Sequence, residues 1–353
     1  MRKIAFLDRD GTLIIEPPVT YQVNSLDEMV LLPHVISSLK KISDNGYDLV
    51  IITNQDGLGT DANPAFIYNN INKKMFEIFA SEDVHFKSVL CCPHYLADNC
   101  NCRKPKTKLI DDYLKGEKID MEKSFVVGDR DSDLELAKNL GIRGFKLDEN
   151  NSWDDVVKQA LSRKAKVERA TKETKILVDI NLDGDGKADI KTGLNFFDHM
   201  LHQIAKHGSF DLTIHCDGDT EVDEHHTIED VAIALGQALK DALGDKKGIE
   251  RYSHERIIVM DECKCEIGID LSGRAHPVLN IELNREYVGD FPTEMLSHFF
   301  HSFAIASAMN IHATLTGENT HHQIECFFKA LAKSLKDAVK VVSNQIVSTK
   351  GVL

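Results

Sequence analysis

A segment of nineteen residues occurs twice in this chain: 225–243 aligns without gaps with 321–339. Each copy opens on a histidine pair, followed by Glu229 or Glu325, and closes on Leu-Lys-Asp-Ala and an aliphatic residue. Upstream, Asp198-His199 matches Ser297-His298, and 176–184 resembles 267–273. A supersecondary unit that cannot cover its own apolar face finds a partner in a second copy of itself. Each half reads strands, helix, strand, helix, so the pattern predicts a duplicated α+β domain.

The amino-terminal part carries a different pattern. Short apolar runs at 4–7, 49–53, 88–91, 124–128 and 144–147 read as strands. Helical patterns at 33–45 and 131–140 stop at Gly46 and Gly141, the residue type that best tolerates the left-handed turn beyond a helix end. Strand and helix in alternation imply a parallel sheet covered on both faces, with ligands at the carboxyl ends of the strands. The text then turns charged, predicting a helix over 154–166 and no strand before Thr174. The domains are therefore expected at 1–165 and 166–353.

Two domains also suit a length of 353 residues, since one domain usually takes roughly 100 to 200. A formal charge of −14 disfavours nucleic acid as a partner, because its phosphates are bound by clustered Lys and Arg. No apolar run approaches the about 18 residues of a membrane span. Met1-Arg2-Lys3-Ile4 leads into a strand rather than a secretory signal. The expectation is a cytoplasmic protein without a membrane partner. In that compartment the eight cysteines read as thiols or metal ligands rather than disulfides.

Asp8-Arg9-Asp10-Gly11-Thr12 follows the first apolar run and puts two carboxylates at the mouth of a buried strand. Phosphoryl transfer to water needs a nucleophile, a proton donor for the leaving oxygen and positive charge around the phosphoryl group. Asp8 would attack phosphorus to give an aspartyl-phosphate, and Asp10 would protonate the departing alkoxide and then activate water. Thr53 could bond a phosphate oxygen, and Lys104 could offset charge, with Lys106 as its competitor. Asp129 could complete a Mg²⁺ site with Asp8 and Asp10. These elements, in this order and each after a strand, resemble the haloacid dehalogenase phosphatase superfamily over about the first 165 residues. The resemblance implies an α/β Rossmann-like phosphatase domain.

Cys92, His94, Cys100 and Cys102 place four soft or borderline ligands within eleven residues, which suits tetrahedral Zn²⁺. With four protein donors no position remains for water, so the expected ion is structural, pinning a loop beside the pocket. Cys91 faces the other way and reads as a core thiol. The spacing looks like the histidinol-phosphatase branch of that superfamily, with the related sugar bisphosphatases as nearest rivals.

In a helix, residues i and i+4 share a face, so His225 and Glu229 can grip one ion. His226, turned about 100° away, must serve another. His321, His322 and Glu325 repeat the arrangement, and His199 and His298 bring the set to six imidazoles and two carboxylates. Such donors suit Mn²⁺, Fe²⁺ or Zn²⁺.

Arg169-Ala170-Thr171-Lys172-Glu173-Thr174, Phe197-Asp198-His199, both histidine pairs, His298-Phe299-Phe300 and the terminal Ser348-Thr349-Lys350 resemble imidazoleglycerol-phosphate dehydratase over 166–353. The resemblance implies Mn²⁺ at sites between subunits of a homo-oligomer of 24 chains. It implies proton handling by Glu173 and phosphate binding by Arg251, Arg274, Ser348 and Lys350. The pair Asp261-Glu262 also belongs to that pattern, with its role open. Asn195, Phe197 and His301 depart from frequent family residues without removing a ligand. Together the halves resemble enzymes of histidine biosynthesis that act on small phosphorylated imidazole compounds. The rival readings are a sugar or nucleotide phosphatase fused to the dehydratase, and a carboxyl-terminal half that is a metal-organised scaffold.

Overall fold

Ile4-Ala5-Phe6-Leu7 offers water no polar side chain, and it forms the middle of a sheet. In the computed structural model, which describes residues 1–343 and 345–351 with the side chain of Glu255 excepted, two units separate at Met1–Leu161 and Ser162–Leu353. The first contains β1 (Lys3–Leu7), α1 (Val35–Asp44), β2 (Tyr47–Asn54), α2 (Ala65–Ser81), β3 (Phe86–Cys92), α3 (Lys108–Leu114), β4 (Phe125–Gly128), α4 (Asp131–Leu140), β5 (Arg143–Lys146) and α5 (Trp153–Ala160). Its sheet runs β3-β2-β1-β4-β5 with every pairing parallel.

Alternate residues of β1 serve opposite cores. Ala5 and Leu7 meet Val35, Ile71, Trp153 and Val156 on one face. Ile4 and Phe6 meet Ile110 and Leu136 on the other. The Trp153 indole donates to the carbonyl of Thr12 at 2.9 Å, tying α5 to the turn after β1. Strand order reverses between β1 and β4, where an open α/β sheet leaves a crevice at its carboxyl edge.

The helix expected over 154–166 ends at Ala160. Residues 164–170, expected to hold no strand, form β6 (Lys164–Ala170), paired antiparallel with β7 (Thr174–Asn181). The charge of this segment concealed a period of two: Lys164, Lys166 and Glu168 face water while Ala165 and Val167 pack on the core. The boundary between the units accordingly falls at 161/162.

The second unit continues with β8 (Ala188–Lys191), α6 (Asn195–Gly208), β9 (Asp211–Gly218), α7 (His225–Leu243), β10 (Tyr252–Met260), β11 (Cys263–Asp270), β12 (His276–Asn280), a short hairpin of β13 (Tyr287–Val288) and β14 (Phe291–Pro292), α8 (Met295–Ser307), β15 (Asn310–Thr316) and α9 (Thr320–Ala338). Its four-stranded sheets run β6-β7-β9-β8 and β10-β11-β15-β12, the same order with the same senses, each ending in one parallel pair. Helices of one half pack on those of the other, α7 on α8 and α6 on α9. All contribute to one core, in which Phe300 stacks on Phe327 with ring centroids 4.0 Å apart.

The α7–α8 approach leaves no room at Gly236, where a Cβ would lie 2.7 Å from both the Ala306 Cβ and the Phe303 carbonyl. On an exposed helix Gly→Ala gains up to about 1 kcal/mol. Here Gly236→Ala is expected to lose about 1–3 kcal/mol through overpacking. A lower denaturant midpoint for loss of dehydratase activity, with the phosphatase midpoint unmoved, checks the sign.

Candidate active sites and metal centres

The turn after β1 carries the first site. Asp8 is buried, and its amide donates to the Val127 carbonyl at 2.9 Å, fixing it beside β4. Lys104 is buried between two acids, its Nζ 2.7 Å from Asp8 Oδ1 and 2.6 Å from Asp133 Oδ1. Burial pulls the Lys104 ammonium down, but the charges of Asp8 and Asp133 hold it above its ordinary value. Lys106 points elsewhere, donating to the Cys100 carbonyl at 2.7 Å.

Asp8, Asp129 and Asp133 bring carboxylate oxygens within 4.8 Å of one another. Burial, then the charge of Asp8, pushes Asp129 up to about 6. Its Oδ1 is buried without a hydrogen-bond partner, the environment a hard divalent cation would satisfy. Gly11 permits this approach: it has φ 72°, and a Cβ there would lie 2.4 Å from Asp129 Oδ2.

The side chain of Asp10 does not join the group expected of it. Its two oxygens accept from Arg9 Nη1 at 2.8 Å and Gln55 Nε2 at 2.5 Å, which fixes the carboxylate toward the pocket instead. Gln55 also donates to Thr53 Oγ1 at 2.9 Å. Asp8, Asp10, Thr53 and Lys104 line one cavity of about 230 Å³, with Glu16 and the paired Arg130 at its mouth. Asp133 escaped the sequence reading. The acid run 129–133 offered it, but only the start of α4 turns it inward, where its Oδ2 accepts the Arg130 amide at 3.2 Å.

Beyond β3 the chain loops back so that Cys92, His94, Cys100 and Cys102 converge. Their contacts include Cys92 Sγ to Cys100 Sγ at 3.6 Å, His94 Nδ1 to Cys102 Sγ at 3.2 Å and Cys102 Sγ to Cys92 Sγ at 3.3 Å. Four ligands about 2.3 Å from a tetrahedral ion lie about 3.7 Å apart. The three cysteines of the set are free thiols, so together with His94 this donor set fits zinc. Cys91 lies outside the cluster, half-buried. Arg103 and Lys104 follow the last thiol directly, and Arg103 donates to the His94 carbonyl at 3.0 Å, so the loop carries the pocket's basic wall.

In the second unit the ligands cross between halves. His225 and Glu229 of α7 meet His298 of α8: Glu229 Oε1 lies 3.2 Å from His298 Nε2, and the His225 and His298 rings are 4.7 Å apart. His321 and Glu325 of α9 meet His199 of α6, with Glu325 Oε2 3.2 Å from His321 Nε2 and 3.6 Å from His199 Nε2. His298 Nε2 is buried yet makes no well-aligned hydrogen bond, as befits a nitrogen lone pair aimed at a shared ion.

His226 and His322 belong to neither triad. His226 Nδ1 lies 3.2 Å from Asp219, whose hydrogen bond raises the imidazole above its ordinary value. His322 Nδ1 lies 3.1 Å from Glu262. Asp219 thus belongs to the neighbourhood of the site, and it was missed because it stands on a loop without periodicity. Glu173 Oε1 lies 3.8 Å from His226 Nε2.

Arg251 pairs with Asp270 through two bonds of 2.7 and 3.1 Å and donates to the Val347 carbonyl at 2.7 Å, bringing the tail with Ser348 and Lys350 to the start of β10. Arg274 sits on the exposed turn after β11, where among the described residues no hydrogen bond or ion pair ties its guanidinium to that tail.

Residues 192–335 match the family model of imidazoleglycerol-phosphate dehydratase, and 3–150 match that of polynucleotide kinase 3 phosphatase. Over 354 aligned residues the chain is 46% identical to the histidine biosynthesis bifunctional protein HisB of Campylobacter jejuni, covering 100% of this chain and 99% of that one. The chain belongs to the bifunctional HisB family. The HisB of Bacteroides fragilis is 45% identical over 374 residues, with 100% of both chains covered. The crystal structure of imidazoleglycerol-phosphate dehydratase from Staphylococcus aureus is 33% identical, covering 51% of this chain and 99% of that one with a TM-score of 0.47. As a member of that family, the chain is an enzyme with a phosphatase unit and a dehydratase unit. No helix among its described residues is long and apolar enough to cross a membrane.

In this chain, removing Lys104 strands Asp8 and Asp133 as buried, uncompensated acids. Lys104→Met in metal-free buffer is expected to destabilise the phosphatase unit by about 3–5 kcal/mol. Urea unfolding followed by Trp153 fluorescence, the chain's only tryptophan, reports on that unit alone.

Proposed function

We propose that the amino-terminal unit hydrolyses histidinol phosphate to histidinol. Asp8 attacks phosphorus; the bond to the alkoxide breaks as Asp10 donates its proton, leaving an aspartyl-phosphate. Water then attacks phosphorus while Asp10 takes its proton, releasing phosphate and restoring Asp8. Lys104 and Thr53 hold phosphoryl oxygens. Mg²⁺ held by Asp8 and Asp129 would offset their negative charge. Cys92, His94, Cys100 and Cys102 would hold Zn²⁺, which would keep the loop that ends in Arg103 and Lys104 in place.

The carboxyl-terminal unit dehydrates imidazole glycerol phosphate to imidazole acetol phosphate, with Glu173 moving the proton and Arg251, Arg274, Ser348 and Lys350 holding the phosphate. His225, Glu229 and His298 form one Mn²⁺ half-site, and His199, His321 and Glu325 form the other. Bound Mn²⁺ would act as a Lewis acid toward the imidazole ring. His226 and His322, outside both triads, are left to complete sites in neighbouring copies, which supports assembly with further copies of the chain; the number of 24 rests on the resemblance to the dehydratase. The shared strand order of the two sheets supports a duplicated α+β origin. Free thiols throughout support a cytoplasmic setting.

The observation that carries the functional reading is identity of 46% running through both units to a bifunctional relative. Two substitutions test the division of labour. Asp8→Asn is expected to lower phosphatase turnover by about 10³-fold or more with dehydration unchanged. Glu173→Gln is expected to do the reverse, and loss of both activities by either change would refute separate sites. A substrate panel checks the phosphatase specificity: faster turnover of a sugar bisphosphate than of histidinol phosphate would overturn that part. Elemental analysis should find about one Zn and two Mn per chain, given the ligand sets.

A further inference from the structure

Glu173 occupies the tight turn between β6 and β7 and is half-exposed, 3.8 Å from His226. A long side chain at such a place is aimed only as well as the turn beneath it is held. Thr171 Oγ1 accepts from the amides of Glu173 at 3.1 Å and Thr174 at 3.0 Å, and the Asp219 amide donates to the Glu173 carbonyl at 3.1 Å. Below the turn lies Asp230, a buried carboxylate of α7 next to Glu229. One of its oxygens accepts from Arg169 Nε at 3.1 Å and Nη2 at 2.7 Å, and the other accepts from Thr174 Oγ1 at 2.6 Å. Arg169 is the penultimate residue of one strand of the hairpin and Thr174 begins the other. A single buried acid therefore fastens both to the helix that carries His225, His226 and Glu229.

The repeated half supplies an internal comparison. Cys326 stands where Asp230 would, and Cys263, buried at the start of β11, stands where Thr174 would. Neither thiol clamps the hairpin to the helix through a carboxylate: Cys326 Sγ donates to the Ile258 carbonyl at 3.4 Å, and Cys263 Sγ donates to Glu262 at 3.3 Å. Glu262, the counterpart of Glu173, is occupied, accepting the Asn319 amide at 2.8 Å and facing His322 Nδ1 at 3.1 Å. One turn is anchored with its carboxylate unengaged by any hydrogen bond among the described residues, and the other spends its carboxylate on its own anchoring.

We propose that Arg169, Asp230 and Thr174 form a clamp that positions Glu173 for proton transfer in the dehydration, and that its absence from the second half leaves that half without a proton-moving carboxylate. The proposal rests on the role assigned to Glu173 above. A displacement of about 1 Å at a reacting group can cost about a hundredfold in rate, so a clamp of this kind acts on turnover.

The test uses the full-length, Mn²⁺-loaded chain and measures dehydratase kcat and KM, metal content and phosphatase rate. Asp230→Asn and Thr174→Val should each lower kcat by about ten- to a hundredfold. KM should stay within about threefold, with metal content and phosphatase rate unchanged. Thr174→Ser, which keeps the hydroxyl, should retain most of the rate. In a Glu173→Gln background, Asp230→Asn should add no further loss, because the clamp acts only through Glu173. A full rate in both clamp variants, a loss of bound Mn²⁺, or losses that multiply with Glu173→Gln would overturn the clamp. If Glu173→Gln alone keeps its kcat, the role of Glu173 fails instead.

Discussion

Neighbouring histidines on a helix point about 100° apart and cannot grip one ion in common. That constraint organises the carboxyl-terminal unit. His225 and His321 each share a face with a glutamate one turn on, and the third donor must then come from elsewhere. It comes from the other half: His298 reaches His225 and Glu229, while His199 reaches His321 and Glu325. The helix packing of α7 on α8 and α6 on α9 is thus also the assembly of two triads. A small residue such as Gly236 lets α7 and α8 approach this closely.

The phosphatase unit solves a different problem, the accumulation of negative charge where strands end. Asp8, Asp129 and Asp133 converge at the reversal of strand order, and Lys104 is drawn into the interior against its own burial by two of them. Asp129 keeps an oxygen without a partner, and burial, then the charge of Asp8, raises it to about 6. Asp10 is treated otherwise: Arg9 and Gln55 fix both of its oxygens. A rigid carboxylate facing the cavity suits proton transfer, while an unsatisfied one suits a cation. Asp8 and Asp10, separated by one residue, are likewise sorted into distinct environments, the first on Lys104 and the second on Arg9 and Gln55.

Repeats make such distinctions legible within one chain. The two halves of the dehydratase unit share strand order and ligand types, yet they treat the residue before the second hairpin strand differently. Glu173 is left open above an Arg169–Asp230–Thr174 network whose acid and threonine are buried, whereas Glu262 is engaged by His322 and the Asn319 amide. Topological symmetry fixes where ligands stand, and a few polar substitutions then differentiate the halves.

Strands with continuous apolar runs, the glycine-terminated helices, the zinc-type ligand spacing and the i, i+4 histidine–glutamate pairs were all legible in the sequence, because each depends on residues close along the chain. β6 was not, since its outward lysines and Glu168 masked the alternation of Ala165 and Val167. Nor were Asp133 and Asp219, which stand among other acids and are distinguished only by what faces them. Local periodicity and spacing determined the elements and most of the donor types. Only tertiary structure decided which donors converge, that the Asp10 carboxylate bonds Arg9 and Gln55 rather than joining Asp8 and Asp129, and that Lys104 rather than Lys106 enters the pocket. Those outcomes depend on burial and on partners brought from far along the chain, neither of which any local pattern encodes.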